Sequence, residues 1–258
     1  MILKLFLAEF RRSWLLFVRY PINAIGQTFI TIVIFYGLFL GIGYMGGSDF
    51  TFGERFDAIV IGYVLWTLVL SVMDSLAGEL QYEAQTGTLE QVFLSPFGAS
   101  LVFLMRAIAS VALNLLMMVA ILLIIMLLTG ASLSFPPLLI LPLLTVLLGA
   151  YGLAFISGSL ALLFKQIQQV LGLFQFVLLF LLTAPVETWK FPIQAMGWLL
   201  PMASGAGLLR DLMARDLPLH FGELAIAFGN GIAYFTLGLV IFRFCEQQVK
   251  KQGKLGSF

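Results

Sequence analysis

Three carboxylates, Glu79, Glu83 and Glu90, lie in the stretch GELQYEAQTGTLEQVFLSP (78–96) with no basic residue between them. On a helix Glu79, Tyr82 and Glu83 share one surface, while Leu80 and Ala84 face another way. Gly87, between Thr86 and Thr88, permits a bend because glycine accepts dihedrals that other residues resist. Thr88 is placed to N-cap a second short helix, with Gln91 at the capping-box position three residues on. Leu89, Val92, Phe93 and Leu94 give that helix an apolar side, and Pro96 ends it. A bent helix with exposed acids and an apolar ridge suits a groove on a soluble partner. A solvated connector with incidental acids fits the same residues.

Other chemistry finds little material. His220 is the sole histidine and Cys245 the sole cysteine, which removes most metal, general-base and disulfide schemes. No Ser, His and acid constellation suggests a nucleophile. No G-x-x-x-x-G-K-[ST] loop occurs, so nucleotide phosphates are not cradled by that route. No catalytic and no metal-binding residue is expected, and no basic stripe points to nucleic acid.

The elements that carry the acidic stretch are apolar. With 61% hydrophobic and 10% charged residues, the chain departs from the roughly 25% charge of soluble domains. A helix crossing hydrocarbon needs about 20 mostly apolar residues. Six such spans are expected near 22–45, 56–77, 101–129, 138–164, 167–184 and 221–243. The fold class is an all-α polytopic membrane protein, read as one domain over 1–258. With the N-terminus inside, the inside segments hold ten of the 14 Lys and Arg residues and the outside segments four. The bias places both termini, and the 78–96 segment, in the cytoplasm. The N-terminus mixes charged and apolar residues without a charge-free core, so no cleavable signal is expected.

Two further segments stand out. Over 2–20, at 100° per residue, Lys4, Arg11, Arg12 and Arg19 fall within one third of a helical wheel. Leu3, Phe6, Phe10, Trp14 and Phe17 fall opposite, which suits a helix lying in the headgroup layer. A slanted extension of the first span fits the same pattern. Between the fifth and sixth spans, Pro185, Pro192 and Pro201 punctuate a run that stays strongly apolar. Its fragments are too short to span and read as re-entrant or interfacial helices over 185–215. No carboxylate falls near a span midplane, where an ion-coupled carrier would be expected to bury one.

The stretch YEAQTGTLEQVFLSP resembles the segment between spans two and three of type-2 permeases of ATP-binding-cassette exporters. Glu83, Gly87, Thr88, Leu89, Glu90, Ser95 and Pro96 match the family's pattern. The segment APVETWKFPIQAMGWLLPMASGAGLLRDLM is similar to the family's proline-punctuated signature, with Pro185, Pro192, Pro201 and Arg210 at familiar spacings. Where the family often carries P-L-x-[YH], this chain has Ser204 and Gly205. The resemblance implies six helices per subunit, two permease subunits, alike or different, and a separate ATPase chain on each that binds ATP and Mg. Residues 79–94 would contain the coupling helix, with Glu79, Glu83, Gly87, Thr88, Leu89 and Glu90 at the ATPase and Glu83 and Glu90 facing it. Residues 185–215 would close the pathway externally, and Lys4, Arg11, Arg12, Trp14 and Arg19 would meet the membrane surface. The implied function is ATP-driven export of a drug-like or lipid-like amphiphile across a bacterial-type inner membrane. A lipid-linked polysaccharide exporter, a nucleotide-independent carrier and a non-transporting scaffold are the alternatives.

Overall fold

The computed structural model of the chain describes residues 2–46, 54–86, 98–130, 133–163, 168–188 and 197–252. The described residues form helices and their connections: α1 (Ile2–Arg19), α2 (Pro21–Gly46), α3 (Glu54–Thr86), α4 (Ala99–Thr129), α5 (Ile140–Leu163), α6 (Gln168–Thr183), α7 (Ala203–Ala214) and α8 (Phe221–Gln252). Among the described residues, four segments, 56–78, 101–129, 137–161 and 221–249, are long and apolar enough to cross a membrane. Ile25–Leu38 in α2 and Leu171–Thr183 in α6 are shorter apolar segments. The 16 residues of α6 rise about 24 Å, short of the ~30 Å hydrocarbon thickness.

The apolar runs appear where hydropathy places them, but α3 and α8 continue well past their apolar ends. The extension of α3 carries Glu79 and Glu83 and reaches Thr86, because Leu80 is still buried in the bundle. Pro21 opens α2 at the first helical position, where its missing N–H costs nothing, so α1 and α2 are separate helices.

α3 and α5 form the interior and are packed on most sides, while α4 and α8 leave broad faces exposed. The tightest crossing joins α5 and α8, and it is made by glycine. A Cβ on Gly238 would collide with the Gly152 carbonyl, and one on Gly152 with the Tyr234 backbone. A Cβ on Gly231 would stand 2.8 Å from the Thr145 carbonyl oxygen. In lipid, close backbone approach supplies dispersion contacts that the hydrophobic effect does not. The pairs Gly231 with Thr145 and Gly238 with Gly152 show that α5 and α8 run in the same direction. Gly62 of α3 abuts Leu182 and Thr183 of α6, and Asp74 meets Gln175, so these two helices are antiparallel.

This alternation gives the bundle two ends. At one lie α1, the last turn of α3, the start of α4 and the end of α8. At the other lie α7 and the turns on either side of it. Replacing Gly238 or Gly152 by valine forces two backbones apart and should cost at least the ~1–3 kcal/mol typical of overpacked sites. Gly229→Ala and Gly172→Ala, with open space at the Cβ, should be neutral or better. Thermal unfolding of the detergent-purified protein, followed by size-exclusion fluorescence, checks both halves of this expectation.

Candidate functional site

At the α1 end, an arginine from α4 joins three helices. Arg106 Nη1 lies 2.6 Å from Glu83 Oε1 on α3, and its Nε lies 3.0 Å from Glu9 Oε2 on α1. The side chains of Arg106 and Glu83 are each only 7% exposed. Arg12, more exposed and one turn on from Glu9, approaches the same Oε2 at 3.5 Å. Among the described residues, two cations and two anions thus meet in this cluster. A charge this deep needs partners, since removing a guanidinium or carboxylate from water costs several kcal/mol per ion.

The cluster is set into the bundle from below. The Arg106 guanidinium lies 5.3 Å from the centroid of Phe103, one turn back on α4. Phe103 meets Phe242 of α8 edge-on at 6.0 Å, and Phe242 meets Phe155 of α5 at 5.5 Å. Leu80, one turn before Glu83, seats against Gly158, where any Cβ would crowd it at 2.8 Å. The α3 extension is thus clamped on one side by packing and on the other by charge.

This corrects one expectation. Glu83 does not present its carboxylate outward; it points into the cluster and pairs with Arg106 within the chain. The helical spacing with Glu79 was legible, but the partner lies 23 residues away on another helix and leaves no local signal. Glu79 lies in α3. Gly87, Thr88, Leu89 and Glu90 lie outside the described residues.

α1 is helical, with Arg11, Trp14 and Arg19 exposed, Arg12 half-buried, and Lys4 on its first turn. Its aromatic face divides. Phe6 and Phe10 stack at 6.2 Å and are half-buried with Phe17, while Leu3 and Trp14 stay exposed. Glu9 draws the helix onto α4, which the wheel pattern did not reveal.

The opposite end is organised around a second arginine. Arg210 on α7 is fully buried and donates to the carbonyl oxygens of Leu182, at 2.5 Å, and Ala184, at 3.1 Å. It thereby satisfies the Leu182 carbonyl that the end of α6 leaves open and shares that of Ala184 with the Val186 N–H. Pro185, exposed, begins the turn after α6, and its carbonyl accepts from the backbone N–H of Thr188 at 3.0 Å. Pro192 lies outside the described residues. Pro201 precedes Met202, whose φ of 63° is left-handed and uncommon for a residue with a side chain. The Met202 side chain fills the space above Gly149, and its carbonyl accepts the Ala206 N–H at 2.9 Å.

α7 is a 12-residue helix buried against α3, α5 and α8. The Ser204-Gly205 departure has a packing reason: a Cβ at Gly205 would strike the Thr145 hydroxyl and Val146 on α5. Asn230 donates to the carbonyls of Trp198 and Leu200, at 2.8 and 3.2 Å, and the Tyr234 hydroxyl to that of Leu199 at 2.9 Å. One face of α8 thus satisfies the turn that leads into α7. Among the described residues no group of three His, Cys, Asp or Glu side chains is placed to hold a metal.

A family model described as ABC-2 type transporter matches residues 4–214. The chain belongs to the ABC-2 type transporter family, and it is an integral membrane permease subunit of a transporter, not the ATPase. Members of this family normally work with an ATPase subunit. No curated protein matches the chain.

Arg106→Ala leaves two carboxylates facing each other out of water. It should destabilise the protein by about 3–5 kcal/mol, the cost of breaking a buried pair from one side. The double substitution Glu83→Gln with Arg106→Met should recover a large part of that loss, as a thermal-unfolding double-mutant cycle would read. Arg210→Met strips the Leu182 carbonyl of its donor, while the Ala184 carbonyl keeps the Val186 N–H, and should cost about 1–3 kcal/mol for the one group left unsatisfied.

Proposed function

We propose that this chain is the membrane subunit of an ATP-driven exporter that moves a drug-like or lipid-like amphiphile across or out of the membrane. The observation that carries the reading is the clamp on the end of α3. Residues 87–97 follow directly from a helix end that is fixed by Glu83 and Arg106 to α4, through Glu9 to α1, and through Phe103 to α8. A coupling segment needs such rigidity, because displacement by a partner is transmitted only if the receiving end does not yield locally.

In this reading the 79–94 region docks on a separate ATPase that binds ATP and Mg, with Gly87 and Thr88 at the bend and Leu89 and Glu90 at the contact. Glu79 borders that surface, and Glu83 positions the helix rather than touching the partner. Two permease subunits, identical or different, form one transporter, each with six membrane-crossing helices. The alternating run of α2 to α6 and α8 and the cationic bias of the α1 end support both termini being cytoplasmic in a bacterial-type inner membrane. The burial of α7 among longer helices supports a re-entrant segment over 185–215, with Pro185, Pro192, Pro201 and Arg210 shaping an external closure.

The test reconstitutes the permease with its ATPase subunit and measures nucleotide hydrolysis and export together. Gly87→Pro and Glu90→Lys should each lower substrate-stimulated hydrolysis and export at least about tenfold, a loss of ~1.4 kcal/mol in coupling, while the permease still folds. Full stimulated hydrolysis and export in both variants would overturn the assignment of the coupling segment. Glu83→Lys is unsuitable for this purpose, because it places a second cation against Arg106 and disrupts the fold.

A further inference from the structure

A cavity of about 410 Å³ opens between α1, α2, α3 and α4. It is separate from the ion-paired cluster, and its size lies in the range of small-molecule sites. Three helices contribute polar side chains to it at one-turn spacing. α3 presents Tyr63, Thr67 and Ser71, α4 presents Ser110 and Asn114, and α2 presents Thr28 and Thr31. Apolar helices in hydrocarbon gain nothing from such stripes unless the polar groups meet something.

What these groups offer can be read from their hydrogen bonds. Thr67 donates to the Val64 carbonyl, Ser71 to Leu68 and Ser110 to Ala107, at 2.8, 2.8 and 2.9 Å. Each hydroxyl spends its proton on its own helix and keeps oxygen lone pairs for an incoming donor. The Tyr63 hydroxyl is likewise committed, to the Thr31 carbonyl at 2.7 Å. Asn114 is the exception. Its buried Nδ2 reaches no acceptor in full hydrogen-bond geometry, although the Tyr151 hydroxyl stands beside it and a buried amide N–H ordinarily has an acceptor. The site therefore offers hydroxyl acceptors together with amide donors, from Asn114 on α4 and Gln27 on α2. Among the described residues no Asp, Glu, Lys, Arg or His lines it.

The cavity is also graded along the bundle. Ser13 of α1 and Ser71, Ser110 and Gln27 line it toward the α1 end. Ile34, Met118 and Ile121 line it deeper in. Met118 is shared with a second cavity of about 190 Å³, whose walls, from Ile61 and Leu65 to Leu122 and Leu143, are wholly apolar. Ile30, exposed on α2, stands at the open side.

We propose that the α1–α4 cavity binds an uncharged, hydroxyl-bearing amphiphile, its polar end at Ser71, Ser110 and Asn114 and its chain directed past Met118. A hydroxyl both donates and accepts, which matches a lining of hydroxyl acceptors and amide donors. A charged headgroup would be left without a counter-ion and would bear the full desolvation cost. The proposal deepens the exporter reading by naming the chemistry of the molecule handled, but binding itself requires no ATPase.

The test uses the full chain in phosphatidylcholine nanodiscs without any ATPase. The probe is a monoacylglycerol with a diazirine in its acyl chain, and cross-linked peptides are mapped by mass spectrometry. Labelling should saturate and fall on 27–34, 66–71 and 110–121. Asn114→Leu should weaken apparent affinity about fivefold, as should Thr67→Val with Ser71→Ala, the factor expected from losing one hydrogen bond. Leu173→Ala, on the exposed face of α6, should change nothing. If Asn114→Leu does not fold, the Thr67 and Ser71 pair decides, since it preserves volume. Labelling that fails to saturate and spreads over outward faces, equal labelling by an anionic lysophosphatidate or a cationic alkylammonium analogue, or unchanged affinity in the folded variants would each overturn the site. Saturable labelling combined with no ATP-dependent export by the unsubstituted, reconstituted transporter would leave the site standing and remove the exporter reading.

Discussion

A guanidinium held away from water imposes its own geometry on whatever surrounds it, and Arg106 does so for the α1 end of this permease. Among the described residues its carboxylate partners come from α1 and α3, so neither helix can shift without exposing or stranding a charge. The net stabilisation from such a cluster is modest, because the Coulombic gain is set against desolvation of every member. Its value lies in uniqueness of arrangement: one register of α3 against α4, and one seat for α1. The aromatic chain from Phe103 through Phe242 to Phe155 then ties that arrangement to the core.

Elsewhere the bundle follows a different rule. Within hydrocarbon every backbone carbonyl must find a donor, and helices provide it everywhere except at their ends and turns. The structure meets those exceptions with long side chains sent from neighbouring helices. Arg210 serves the end of α6, and Asn230 and Tyr234 serve the turn before α7. Short interrupted segments are therefore held at the α7 end by specific donors rather than by general apolarity. Close contact between helices is left to glycine, at Gly152 and Gly238 between the long helices and at Gly205 where α7 meets α5. The α1 end is fixed by charge and the α7 end by carbonyl satisfaction, with a glycine-built crossing between them.

Much of this was legible in one dimension. The apolar runs mark the long helices because the solvent they require demands uninterrupted hydrophobicity over a fixed length. Pro21 marks a helix start, and Pro185 and Pro201 mark turns, because proline restricts its own φ and the residue before it. The acid-rich end of α3 was legible as helix, and the two family-like stretches pointed to the permease class that the match over 4–214 establishes. The Ser204-Gly205 departure was visible in the sequence, but its reason was not.

What the sequence by itself determined is the course of the long apolar helices and the class of transporter, both properties of contiguous residues. Which groups meet was decided only in three dimensions. Glu9 and Arg106 are 97 positions apart, Arg210 and Leu182 are 28, and no local pattern connects them. Glu83, which composition presents as a surface acid, is an interior one because α4 happens to deliver a cation to it. The hydroxyls of Thr67, Ser71 and Ser110 are unremarkable on separate helices and become a lining only where those helices converge. Burial and pairing belong to the packed bundle, since they depend on distances that chain order does not encode.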